Sequence, residues 1–222
     1  MRKRESMKAL IVWGGWEGHE PQKVAAIFAD SLAKRGFEVD VSDTLDSFKD
    51  PAKLKSADLI VPEWTMGSIT PEQLNPLLEA VRTGTGIAGV HGGMADSFRL
   101  ETEYQFMVGG QWVAHPGGLV DYDVEIINRD HEITKGINPE FSINSEQYYM
   151  HVDPGNKVLA ITRFKDYRNV AMPVAWMKMY GRGRVFYCSL GHVAKDLDCP
   201  EALEMILRGM VWAAKGKAEA AS

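Results

Sequence analysis

Residues 8–15 read KALIVWGG, an unbroken apolar run from Ala9 to Trp13 closed by Gly14-Gly15. Apolarity at consecutive rather than alternate positions is what a strand covered on both faces requires. Working outward from it, residues 21–35 place Val24, Ala25, Ile27, Phe28 and Leu32 at helical spacing, and Gly36 is the stop signal. Residues 37–41 form a second strand and ADLIVPEW (57–64) a third. Thr70 caps a helix over 71–82, with Pro71 at its first position and Gln73 at its third. GIAGV (86–90) is the fourth strand. This βαβαβαβ order predicts an α/β fold: a doubly wound, mostly parallel sheet with helices on both faces and right-handed crossovers.

The second half is less regular. Residues 120–127 alternate, and residues 158–164, 173–180 and 183–189 (GRVFYCS) read as strands. Gly181-Arg182-Gly183 between the last two suggests a hairpin, so part of the late sheet is expected to be mixed. Residues 200–214 form a closing amphipathic helix through Leu203, Ile206, Leu207, Met210 and Val211. There is no linker, repeat or low-complexity stretch, so residues 7–214 read as a single domain. Residues 1–6 and 215–222 are expected to be flexible ends, and Met7 is an alternative start to Met1.

Composition narrows the function. The chain has 222 residues, 25 Lys+Arg against 30 Asp+Glu, and a formal net charge of −5. Such a balance gives no general attraction to nucleic acid or to anionic membrane. Two cysteines, Cys188 and Cys199, are too few for a disulfide framework or a four-thiolate zinc site. No apolar run approaches the ~20 residues of a membrane span. A soluble, cytoplasmic protein is expected, with a homo-oligomer left open.

The six histidines lie at telling places. His19 follows the first strand in GGWEGHE, His91 ends the fourth in GVHGG, and His192 follows GRVFYCS; Glu63 ends the third strand. In an open parallel sheet, ligands bind beyond the carboxyl ends of the strands, so these four residues are expected to meet there. GVHGG has the form of a nucleophile elbow, whose glycines permit a tight turn exposing the central residue. His91 should therefore be partly accessible, able to act as acid, base or ligand. GGQWVAHPGG (109–118) reads as a binding loop carrying Gln111, Trp112 and His115. SEQYYMHVDP (145–154) supplies Glu146, Tyr148 and His151, a polar-aromatic density suited to sugars. His131 reads as structural, and Cys188 as a small core residue. No phosphate-binding loop or dinucleotide fingerprint is present.

KALIVWGGWEGHEP, PEWTMGSITPEQ, GTGIAGVHGGMADSFR, VGGQWVAHPGG, DHEITKGI, SEQYYMHVDP and PVAWMKMYGRGRVFYCSLGH occur in this order. Together they resemble the trehalose-utilisation (ThuA-like) family over roughly residues 7–213. The resemblance implies a class I glutamine-amidotransferase-like fold related to flavodoxin-like sheets. Amidotransferases of that fold carry cysteine at the elbow, where this chain has His91, so glutamine hydrolysis through a thioester is excluded. His192 roughly matches their late histidine, but no acidic residue stands two positions after it.

The resemblance also implies disaccharide catabolism, particularly of trehalose and its 3-keto derivative. A keto group acidifies the neighbouring C–H, so acid–base residues could drive isomerisation, elimination or glycoside cleavage. On this reading Glu63 or Glu146 pairs with His91 as base and acid, and His19 and His192 polarise oxygens. Trp16, Trp64, Trp112 and Tyr148 offer stacking surfaces, with Gln111, His115 and His151 as hydrogen-bonding partners. His19, His91 and His192 form a candidate site for zinc or a similar divalent metal. The alternative is a sugar-binding or regulatory module using the same pocket without chemistry.

Overall fold

A computed structural model describes residues 6–220 of the chain. The parallel half contains β1 (Met7–Gly15), α1 (Pro21–Lys34), β2 (Phe37–Ser42), α2 (Pro51–Ser56), β3 (Leu59–Thr65), α3 (Pro71–Arg82) and β4 (Gly86–Val90). Two short helices follow, α4 (His91–Ala95) and α5 (Thr102–Val108). Then come β5 (Gly110–Ala114), β6 (Leu119–Ile126), β7 (Glu140–Glu146), β8 (Tyr149–Val152), β9 (Lys157–Phe164), β10 (Val170–Tyr180) and β11 (Gly183–Cys188). The chain closes on α6 (Pro200–Ala220).

Nine strands form one sheet in the order β2-β1-β3-β4-β11-β10-β9-β6-β7. The five strands β2-β1-β3-β4-β11 run parallel, in the flavodoxin-like order 2-1-3-4-5 when counted along the chain. From β11 to β7 every pairing is antiparallel, so the late sheet, expected to be mixed, reverses direction at each strand. Alternate residues of the parallel strands enter two separate cores. Ile11, Val61, Ala88 and Phe186 pack with Phe28 of α1 and Ile206 of α6. Leu10, Ile60, Ile87 and Val185 pack with Leu74 and Leu77 of α3. Burial on both faces is why these strands read as continuous apolar runs.

Two differences from the sequence reading stand out. Residues 109–118, read as a binding loop, contribute β5, and residues 145–154, read as a polar-aromatic segment, contribute β8; the two strands pair antiparallel as a separate two-stranded sheet. Strands this short, carrying polar and aromatic side chains together, show no clean alternation. The closing helix, read as residues 200–214, is also longer than expected: α6 continues to Ala220, and Lys217 Nζ donates to Ala57 O at 2.7 Å. The expectations for residues 1–5 and 221–222, including the choice between Met1 and Met7, lie outside the described residues. No helix among the described residues is long and apolar enough to cross a membrane.

Candidate active site

The carboxyl ends of β1, β3, β4 and β11 bring His19, Thr65, His91 and His192 to one edge, as the topology requires. His91 occupies the turn from β4 into α4 with φ +42°, the left-handed region that a non-glycine residue adopts only under constraint. The constraint is visible: Tyr187 Oη donates to the His91 carbonyl at 3.1 Å. The glycines after it are required by close approach. A Cβ on Gly92 would lie 2.5 Å from the His19 ring, and one on Gly93 would lie 2.4 Å from the Glu63 carboxyl. The elbow expected from GVHGG is thus present, but His91 is 1% exposed rather than partly accessible. Tyr148 covers it, with ring centroids 3.8 Å apart.

The nitrogens of His91 are fixed by their partners. Nδ1 stands 2.8 Å from the Ser189 carbonyl, which only accepts, so Nδ1 carries a proton. With Nδ1 so committed, Nε2 faces the centre, 3.1 Å from Glu146 Oε2 and 3.3 Å from His192 Nδ1. His192 Nδ1 is itself 3.4 Å from Glu146 Oε2. His19 Nδ1 is paired with Thr65 Oγ1 at 2.7 Å, and its Nε2 lies 4.0 Å from Glu146 Oε2. His19, His91, Glu146 and His192 therefore form a group whose ligand atoms all lie within 4.8 Å of one another, a geometry compatible with metal coordination. Bonds of ~2.0–2.1 Å in a tetrahedral shell put ligands about 3.3 Å apart, close to the three shorter separations. The anchoring of one ring nitrogen while the other faces the centre is the usual support for a metal-ligating histidine.

Electrostatics agree with this donor set. Burial, then the neighbouring His91 and His192, lower the pKa of His19 to about 3, so its ring is neutral at neutral pH. Burial and then His91 lower that of His192. Burial alone would raise Glu146, but the His91 hydrogen bond and the surrounding imidazoles outweigh it and hold the carboxyl at about 2. Burial thus favours the neutral ring at His19 and His192, and Glu146 is held as the carboxylate, the protonation states a metal ion requires.

The remaining sequence candidates divide. His115 joins the group: its Nδ1 lies 3.6 Å from Glu146 Oε1, and its side chain is 37% exposed. Trp16 meets His19 edge-on at 4.7 Å, and Trp112 lies 5.7 Å from His115. Tyr148 is 3% exposed, so it supports His91 rather than offering an open stacking face. Trp64 packs over Gly14 and Gly67 against the second core. Gln111 and His151 are register partners in the β5–β8 pair, and no hydrogen bond or ring contact among the described residues links either to the centre.

Glu63 does not pair with His91. It is 1% exposed, its carboxyl turns under α4 against Gly93, and burial raises its pKa well above the ordinary value. Cys188 is fully buried, its thiol pushed up to about 12, which suits a core residue and not a nucleophile. His131 stacks edge-on against Trp212 at 6.0 Å and accepts from Ile133 N–H.

Asp196 is the residue that sequence reasoning passed over. Four positions after His192, it turns back to accept the His192 N–H at 3.1 Å and the Ser145 hydroxyl, immediately before Glu146. One buried carboxylate thereby ties together the two segments that carry His192 and Glu146. A catalytic-triad search looks for an acid on the histidine ring, and this acid holds the backbone. Asp196→Ala leaves both donors unpaired at about 1–3 kcal/mol each. A melting temperature lower by roughly 6–12 °C is expected, for about 3 kcal/mol lost, in a thermal unfolding curve followed by circular dichroism. An unchanged curve would show that the tie carries no stability.

The strand order 2-1-3-4-5 of the parallel half, with an elbow at the end of β4, gives the chain a flavodoxin-like, class I glutamine-amidotransferase-like fold. At that elbow it carries His91, within a buried His/His/His/Glu group. Residues 8–213 match the family model described as ThuA, trehalose utilisation, and the chain belongs to that family. No curated protein matches the chain. Among solved structures it is similar to a ThuA-like protein from Parabacteroides merdae ATCC 43184, at 20% identity and a TM-score of 0.80, over 96% of this chain and 91% of that one. A ThuA-like protein from Bacteroides uniformis ATCC 8492 gives 18% identity and 0.78, over 96% and 94%. A glutamine amidotransferase from Thermotoga maritima gives 12% identity and 0.57, over 96% and 97%. At these identities the structural likeness bears on the fold.

Proposed function

We propose that this protein is a metal-supported enzyme acting on a disaccharide, in the first place the 3-keto derivative of trehalose, by histidine–carboxylate acid–base chemistry. The observation that carries this reading is the convergence of three imidazoles and one carboxylate, with His91, His192 and Glu146 at separations that fit a tetrahedral shell and His19 within 4.8 Å of them. His19, His91, His192 and Glu146 would hold the ion. When bound, a divalent ion such as zinc supplies Lewis-acid polarisation of a keto or hydroxyl oxygen. The family description, trehalose utilisation, supports a sugar as the substrate.

The chain's own residues supply the proton transfers. The His115 side chain is 37% exposed, with Nδ1 3.6 Å from Glu146 Oε1, so its ring stands beside the carboxylate and is still reachable by substrate. It is placed to take the proton from the carbon next to a ketone. In a 3-keto glycoside that carbon is C2. Its C–H electrons become the C1=C2 double bond as the C1–O bond breaks, and the departing sugar oxygen takes a proton. Addition of water across the double bond then completes the cleavage. Glu146, held ionised, orients and binds rather than accepting this proton. Trp16 beside His19 and Trp112 beside His115 supply aromatic rings next to the centre. A binding module needs aromatics, amides and carboxylates, and three clustered imidazoles serve it no purpose.

Incubation of the protein with trehalose and with 3-keto-trehalose, each with and without a chelator, tests the reading by product NMR. The expected result is consumption of the keto sugar alone, lost on chelation. If metal-replete protein leaves both sugars unchanged, the enzyme reading fails.

A further inference from the structure

A cavity of about 670 Å³ lies on the antiparallel half of the sheet, between the outward face of β6 and the turn that follows β9. That is within the size range of small-molecule sites. Two of its lining residues, Pro116 and Gln147, are the chain neighbours of His115 and Glu146, so the cavity and the metal-compatible centre are built from the same two segments. We propose that it is a subsite for a second, neutral sugar ring, the part of the substrate that leaves or is carried while chemistry takes place at the first ring. This deepens the sugar reading above and rests on it.

The lining has the chemistry of sugar recognition. Tyr167, 50% exposed, presents an aromatic face and is braced by Phe164 and Tyr149 at ring distances of 6.0 and 5.9 Å. Pyranose C–H faces stack on such rings. Gln147 is only 7% exposed. Its amide nitrogen donates to Thr162 Oγ1 at 2.7 Å and to the Arg163 carbonyl at 3.2 Å, which fixes the orientation of the amide. Its Oε1 takes no hydrogen bond from the described residues, leaving an acceptor held rigidly at the wall it lines.

Asp121 and Asp123 repeat the pattern. Each is anchored through Oδ1, by Asn144 Nδ2 at 2.8 Å and by Ser142 Oγ at 2.6 Å. Neither Oδ2 is bonded by the described residues, so two fixed acceptors stand two residues apart on one strand face. The wall carries five carboxylates, on Asp121, Asp123, Glu125, Glu140 and Asp166, against two cations, Arg163 and Lys165. That excess disfavours phosphorylated or acidic sugars and leaves a neutral polyhydroxyl ligand, whose hydroxyls donate to fixed oxygens.

The test uses the full chain and two probes, trehalose with two rings and glucose with one. Amide chemical-shift mapping and titration calorimetry are run on the wild type, Tyr167→Ala and Asp123→Asn. Trehalose is expected to shift signals in residues 121–123 and 163–169 as well as around His91. Each substitution should weaken trehalose binding at least tenfold and leave glucose binding at the centre unchanged. Trehalose shifts confined to the centre, with both variants binding it as the wild type does, would overturn the subsite and leave the enzyme reading standing. Shifts in the cavity alone would place no ring at the centre and overturn the second-ring subsite, while the separate keto-sugar assay would still decide the enzyme reading. Absence of trehalose shifts anywhere would overturn the subsite, and the separate keto-sugar assay would still decide the enzyme reading.

Discussion

His91→Ala is expected to abolish turnover of a keto sugar and to weaken divalent-metal binding by more than 100-fold. The ring offers Nε2 to the centre while its Nδ1–H is committed to Ser189 O, so no other atom of the elbow can replace it. Loss of a supporting partner behind a ligand typically costs 10–100-fold in affinity, and loss of the ligand itself should exceed that. Stability provides an independent readout. Zinc at 100 times its Kd should stabilise the wild-type protein by about 2.7 kcal/mol, which raises the melting temperature by roughly 5–11 °C. At the same zinc concentration the variant should gain no more than about 0.4 kcal/mol. Because the ring is 1% exposed under Tyr148, the variant should also melt below the metal-free wild type. Elemental analysis of protein purified without a polyhistidine tag, followed by melts with and without zinc, measures both effects. Substoichiometric metal, no thermal shift and activity indifferent to EDTA would reduce the histidines to metal-free acid–base groups.

The parallel half of the fold was legible because its strands are buried on both faces. KALIVWGG and GIAGV show that as unbroken apolarity, and Thr70 announces α3 through its N–H bond to Gln73 Oε1 at 2.9 Å. In the antiparallel extension β6 was legible by alternation, Asp121, Asp123 and Glu125 against Tyr122, Val124 and Ile126, and β9 and β10 as the segments 158–164 and 173–180. β5 and β8 were not, since four or five residues give too few alternations to establish a period.

For the site, topology did most of the reading. A histidine after a parallel strand must lie at the carboxyl edge, and His19, His91 and His192 do. Glu146 comes from the antiparallel half, whose path no local pattern in the sequence specifies, so its convergence on the same point required the structure. Glu63 misled for the opposite reason. It ends a parallel strand, as a site residue should, but the absence of a side chain at Gly93 lets its carboxyl pass under α4 instead of out into the crevice.

That misplacement gives Glu63 a distinct signature in the pH dependence of stability. Its carboxyl is 1% exposed, Oε2 is among the buried atoms without a hydrogen-bond partner, and burial raises its folded pKa well above the ordinary value. Below about pH 4.3, the pKa of an unperturbed glutamate, both folded and unfolded chains carry the proton and the group contributes no pH dependence. Above that pH the unfolded chain releases the proton while the folded chain keeps it. Folding then takes up a proton, and stability falls as pH rises until the folded pKa is reached. Glu63→Gln keeps the shape and cannot ionise, so it removes this decline. Melting curves of the two proteins should differ by a constant offset at and below pH 4. From there to pH 8 the variant should gain steadily on the wild type, by at least about 2–4 °C for each ~1 kcal/mol of decline removed. Its turnover should stay close to wild type, since the carboxyl faces Gly93 and not the imidazoles. Curves that run parallel from pH 4 to pH 8 would mean that Glu63 is ionised in the folded protein. A large loss of turnover in the variant would return Glu63 to the reacting groups.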